Sequence, residues 1–169
     1  GFTAGAKSVK PDIDVQGQYA ESFNDAAKGS TIASTMYASG ADVIYQAAGG
    51  TGTGVFTAAK EVNEKLSADS NKKVWVIGVD RDQSAEGNYT SSDKKKSNFV
   101  LTSTIKQVGT IVKDIANDQV KGKEFEGGKT KTYGIKDGGV DIVTSSLPSD
   151  IKDAVVKAKD QIKNGELKP

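Results

Sequence analysis

Apolar and polar positions along this 169-residue chain switch repeatedly between a helical spacing and short continuous runs. Phe2 to Val9 reads as helix, stopped by Pro11, because proline disfavours helical backbone in the residue before it. Ile13 to Tyr19 alternates apolar with polar and predicts a strand. Asn24 or Asp25 then caps a helix from about Ala26 to Ala38, with Ile32, Met36 and Tyr37 inward and Gly40 ending it. Asp42 to Ala48 reads as a buried strand. Val55, Ala58, Ala59, Val62 and Leu66 lie on one face of a helix from Thr53 to about Ala68. Val74 to Val79 is a second buried strand, Asp80 to Ser97 a long polar surface loop, and Phe99 to Thr104 a third strand. Val108, Ile111, Val112 and Ile115 mark one face of the next helix. Lys131 to Ile135 and Val140 to Val143 predict two short strands around the turn Asp137-Gly138-Gly139. Leu147-Pro148-Ser149-Asp150 opens a last helix, with Ser149 as cap and Ile151, Val155, Ala158 and Ile162 in line. Strand and helix thus alternate, which predicts an α/β fold: a mostly parallel sheet with helices on both faces.

One junction dominates the functional reading. The strand Asp42 to Ala48 runs into Gly49-Gly50-Thr51-Gly52-Thr53-Gly54, four glycines in six residues, and the turn opens a helix. In open α/β sheets, ligands sit at the carboxyl ends of the strands, and a new helix offers free N–H groups there. The turn is not a dinucleotide fingerprint: counting G-x-G-x-x-G from Gly50 or from Gly52 puts Val55 or Thr57 at the third glycine. It is not a phosphate loop either, since Val55 stands where the lysine would follow the glycine. A tight connection without a ligand is the plain alternative. The density of glycines favours a loop for a neutral polar ligand.

Composition narrows the chemistry. The chain has no cysteine and no histidine. That removes Ser–His and Cys–His nucleophilic machinery and the usual zinc ligands. The net charge of +1 is spread out, which argues against a nucleic-acid partner. Lys94-Lys95-Lys96 reads as a solvated turn. No apolar run is long enough to span a membrane. Gly1 is a poor helix start with no cap before it, so the expectation is that a longer natural protein begins upstream.

Three side chains stand near that strand edge. Asp80 follows a buried strand and could accept two hydroxyl hydrogens of a sugar; as a turn-forming Asp it would need no ligand. Asp80 with Asp82 makes a weak cation site, because a calcium loop needs more oxygen ligands. Lys106 closes a Ser103-Thr104-Ile105-Lys106 match to serine β-lactamases, but the partner elements S-D-N and K-T-G are absent. Lys106 remains either a cleft residue or an exposed lysine at a helix start. Tyr45 lies on the approach to the glycine turn and could stack on a flat ring, although aromatics in strands are usually core.

Together these residues resemble the basic membrane protein family, PnrA-like solute-binding lipoproteins of ABC importers. The resemblance rests on Gly40-Ala41-Asp42-Val43-Ile44 leading to Ala48-Gly49-Gly50-Thr51-Gly52 and Gly54-Val55-Phe56. It continues in order through Phe2 to Ala6, Tyr19 with Ser22-Phe23-Asn24-Asp25, and Val76-Ile77-Gly78-Val79-Asp80 with Asp82-Gln83. Thr102-Ser103 with Lys106, Tyr133 to Val140 and Asn164 to Pro169 complete it.

The resemblance implies a two-lobed, type I periplasmic-binding-protein fold that closes on a purine nucleoside: guanosine, inosine or adenosine. Tyr45 would stack on the base, Gly52 would approach the ligand through its backbone, Asp80 would hold the ribose hydroxyls and Lys106 would add a polar contact. No cofactor, metal or catalysis is implied. The chain would be the C-terminal portion, with 1–104 and 125–169 forming one lobe. The helix within 105–124 would pack on an N-terminal lobe absent from this sequence. Left uncovered, that helix (105–121) would be met by a second copy. The whole protein would be lipid-anchored on the outer side of a bacterial cell membrane and would meet an ABC permease. Two other readings stay open: a ligand-sensing domain of a regulator with the same fold, and an α/β enzyme of nucleotide metabolism.

Overall fold

The computed structural model describes residues 1–168. Its centre is a sheet in which β1 (Val43–Tyr45), β2 (Trp75–Gly78) and β5 (Val100–Lys106) run parallel, with β6 (Val140–Ile142) antiparallel at the β5 edge. Tyr45 pairs with Ile77, and Ile77 with Thr102. The parallel strands therefore end side by side, and their carboxyl ends make one rim.

Two helices carry most of the packing. Helix α2 (Ala26–Ala38) is capped by Asp25, whose Oδ1 accepts the Lys28 N–H at 2.9 Å. Helix α3 (Thr53–Asn63) follows a 3-10 turn over Gly49–Gly52. The two helices meet closely because both are notched. A Cβ on Gly54 would lie 2.0 Å from the Ala26 carbonyl oxygen, and one on Gly29 would lie 2.1 Å from that of Thr51. The density of glycine at this turn thus has a packing cause.

The core gathers Ala33, Tyr37, Ile44, Val55, Phe56, Ala58, Ala59, Val76, Tyr89 and Phe99. Asn63 closes α3 onto β2 with its whole amide: Nδ2 donates to the Val74 carbonyl at 2.9 Å and Oδ1 accepts the Val74 N–H at 3.0 Å. The Tyr37 hydroxyl donates to the Trp75 carbonyl at 3.1 Å, and burial pushes its pKa up.

Several elements differ from the expectation. Residues 13–19 form no strand. Alternation marks a segment suited to a sheet, but a ladder needs a neighbour, and none lies beside this segment among the described residues. The stretch 80–97 is not a plain loop. It holds a 3-10 turn, Ser84–Gly87, and a hairpin of β3 (Asn88–Thr90) and β4 (Lys96–Asn98). Tyr89, buried against Phe99 with ring centroids 5.8 Å apart, anchors that hairpin. Lys95 in the expected solvated run pairs with Asp69 and Asp93, each at 3.2 Å. Residues 131–135 form no strand, and β6 pairs with β5 instead. The turn 137–139 does form, with Gly138 at φ +67°. Ser149 is the first residue of α5 (Ser149–Asn164) rather than its cap, which falls on Pro148 without a side-chain bond.

Helix α1 (Phe2–Val9), α4 (Val108–Val120) and α5 bury no residue completely. No helix among the described residues is long and apolar enough to cross a membrane.

Candidate functional site

The rim built by β1, β2 and β5 collects three of the four residues singled out in the sequence. Tyr45 is the last residue of β1, and its hydroxyl lies 3.2 Å from Thr104 Oγ1 on β5. Asp80 follows β2 by two residues, and Lys106 is the last residue of β5. Asp80 Oδ1 and Lys106 Nζ are 2.8 Å apart, and the Lys106 N–H donates to the Asp80 carbonyl at 3.0 Å. The hydrogen bond that Lys106 donates to Asp80, together with the carboxylate's charge, raises the Lys106 pKa, so this side chain stays cationic beyond the ordinary lysine range.

Asp80 also has an unusual backbone. Its φ is +71°, in the left-handed region that a non-glycine residue occupies at a cost of about 1–3 kcal/mol. The surrounding bonds hold it there, and the result is a carboxylate standing off the strand end, half exposed at 52 %. The pair is open to water, so its net contribution to stability is small. Its significance is positional: a fixed anionic acceptor beside a fixed cationic donor, next to an aromatic ring.

Phe2 completes this edge. Its ring stacks on Tyr45 with centroids 5.3 Å apart and planes 25° apart. Tyr45 is therefore a surface on which a flat ring already lies. Gly52 does not join the group through its bare Cα. A Cβ there would fall 1.8 Å from Gln46 Oε1, so that face is filled by Gln46.

Phe2, Thr104 and Gln46 were missed as site neighbours in the sequence. Only the alternation of side chains along β5, which puts Thr104 and Lys106 on one face, could have pointed to Thr104. Two cavities lie away from this rim. One of about 440 Å³ runs along α5, lined by Asp153, Val156, Lys157 and Gln161 among others. Another of about 210 Å³ lies between α3 and the turn at 84–87. At the rim, Asp80 and Lys106 are half exposed and Phe2 covers one face of Tyr45. No group of three potential metal-ligating side chains gathers among the described residues.

The aromatic ring, the carboxylate–ammonium pair and the glycine-rich turn stand at the carboxyl edge of the parallel strands, where open α/β sheets in general take their ligands. Residues 1–168 match the family model of PnrA-like ABC transporter substrate-binding proteins, and the chain belongs to that family. It is 59% identical over 167 residues to the ABC transporter nucleoside-binding protein BmpA of Lactococcus lactis subsp. cremoris, an alignment covering 99% of this chain and 47% of that protein.

Solved structures bear out the type I solute-binding fold. An ABC transporter solute-binding protein from Aeropyrum pernix K1 superposes with a TM-score of 0.69 at 24% identity, over 96% of this chain and 49% of that one. A transcriptional activator of the comK gene from Bacillus halodurans shares the fold with a TM-score of 0.68 at 23% identity, over 90% of this chain and 47% of that one. The chain spans about half the length of the relatives it matches.

Proposed function

We propose that this chain is one lobe of the substrate-binding component of an ABC importer, and that it contributes half of a purine nucleoside site. The observation that carries this reading is the convergence of Tyr45, Asp80 and Lys106 on one strand rim. A nucleoside has a flat base and a vicinal diol. An aromatic surface suits the first, with base–aromatic stacking contributing about 1–3 kcal/mol. An ionised carboxylate suits the second, because it accepts two hydroxyl hydrogens at once.

In this reading Tyr45 stacks on the base, as Phe2 stacks on it here. Asp80 accepts from the ribose hydroxyls, and Lys106 both steadies Asp80 and donates to the ligand. Gly52 offers its backbone, while its Cα stays packed on Gln46. The ligand is bound and released without chemical change, so no cofactor is needed. The other wall of the site belongs to a second lobe, on which α4 packs. When α4 is uncovered, its apolar face (Val108, Val112 and Ile115, all exposed) meets a second copy of the chain. The complete protein is held by a lipid on the outer face of a bacterial membrane and hands its nucleoside to a permease.

Calorimetric titration of the complete protein with guanosine, inosine and adenosine tests the function. Saturable binding without turnover is expected. Asp80→Ala should weaken binding by about tenfold to a hundredfold, the loss of hydrogen bonds to a charged acceptor. Lys94→Ala, in the hairpin turn, should leave affinity unchanged. Equal affinities for the two variants would remove Asp80 from the site.

A further inference from the structure

Beneath the rim lies a buried polar network that joins the three strands supplying it. Gln83 is 8% exposed, Gln46 4% and Ser103 fully buried. Gln83 Oε1 accepts two hydrogens, from the Val79 N–H at 2.9 Å and from Gln46 Nε2 at 2.8 Å. The Gln83 N–H in turn donates to Ser103 Oγ at 3.1 Å. The network is packed directly on the end of β2: a Cβ on Gly78 would lie 2.5 Å from Ser103 Oγ and 2.9 Å from Gln83 Oε1.

Apart from Gln83, each member is the chain neighbour of a residue at the rim. Gln46 follows Tyr45, Val79 precedes Asp80, and Ser103 precedes Thr104. Successive side chains of a strand point to opposite faces, so a buried layer below the sheet edge fixes the exposed layer above it. The orientation of the amides is determined as well. Gln83 must turn its oxygen to the Val79 N–H, so Gln46 must turn its NH2 to Gln83. Gln46 Oε1 is then buried with no donor among the described residues.

We propose that Gln83 is a positioning residue: its side-chain oxygen latches the Gly78–Val79 peptide, fixes the strand end from which Asp80 turns into its left-handed conformation, and so aims the carboxylate at Lys106 and at the ligand's diol. The ligand part of this inference rests on the nucleoside reading above; the latch itself does not.

Gln83→Met keeps most of the volume and removes the acceptor. Two measurements on the complete protein decide the matter. Without ligand, the Val79 amide should exchange with solvent about tenfold faster or more in the variant, while amides within α2 keep their protection. With ligand, affinity for inosine should fall about tenfold, while affinity for hypoxanthine, which has no diol, stays unchanged. Gln46→Met removes one of the two bonds to the same oxygen and should shift both readouts in the same direction by less, which covers the case in which Gln83→Met does not fold. Unchanged Val79 protection overturns the latch. Equal weakening of inosine and hypoxanthine overturns its role in aiming Asp80. If the unsubstituted protein binds no nucleoside, the functional reading falls, and the exchange experiment still decides whether Gln83 holds the turn.

Discussion

The block from Asp25 to Phe99 and the set formed by α1, α4 and α5 carry similar amphipathic patterns and have opposite fates. In the first, Phe99, Val76 and Ala59 are fully buried, and asparagine, tyrosine and glutamine side chains find backbone partners inside. In the second, no helical residue is fully buried, and Val112 and Val156 stand 60% and 44% exposed. An apolar stripe states that a helix has a face to bury. It does not state which surface will receive that face. The rim of Tyr45, Asp80 and Lys106 lies where the well-packed strands end, so a rigid base supports it.

The contrast can be broken most sharply by truncation on its two sides. Phe99→Ala should cost about 3–5 kcal/mol, the usual loss for a buried aromatic with its cavity. Val112→Ala on α4 should stay within about 0.5 kcal/mol at dilutions where the chain is monomeric and α4 meets no second copy. Urea titrations of both variants check this, and comparable losses would mean that α4 is packed in solution. A smaller effect is expected at the junction of α3 and β2. Asn63→Leu leaves the Val74 N–H and carbonyl unpaired, and should cost about 2–4 kcal/mol in the same titration.

The smallest effect concerns the hairpin within the packed block. Ser91 and the Ala68 N–H both donate to Asp93, and they depress its pKa from 3.8 to about 2. A carboxylate with a depressed folded pKa stabilises fully above its unfolded value and loses that contribution as pH falls through the folded one. The Ala68 amide should therefore lose protection between about pH 4 and pH 2. Asp93→Asn should remove that step, as amide exchange at several pH values would reveal.

Much of the architecture was legible in the residues. The spacing of Val55, Ala58, Ala59 and Val62 and the runs at 43–45 and 75–78 fix an alternation of strand and helix, and Asp25 signals its helix start. The hairpin at 88–98 was not legible. Its strands are short and polar, and only Tyr89 is apolar enough to anchor them. Residues 13–19 show the reverse failure, because strand-like alternation does not supply a neighbour to pair with. At the rim, residue type marked Tyr45, Asp80 and Lys106 as candidates. Gly52 was named for a backbone approach to the ligand, and its Cα is packed on Gln46.

By itself, then, the sequence determined the α/β alternation, the family and the types of side chain gathered at the rim, because these follow from local periodicity and short motifs. Only the tertiary structure decided that Asp80 and Lys106 lie 2.8 Å apart and that Gln83 Oε1 accepts the Val79 N–H beside Asp80. Those contacts join residues on different strands, and their distances depend on register and packing, which no local pattern encodes.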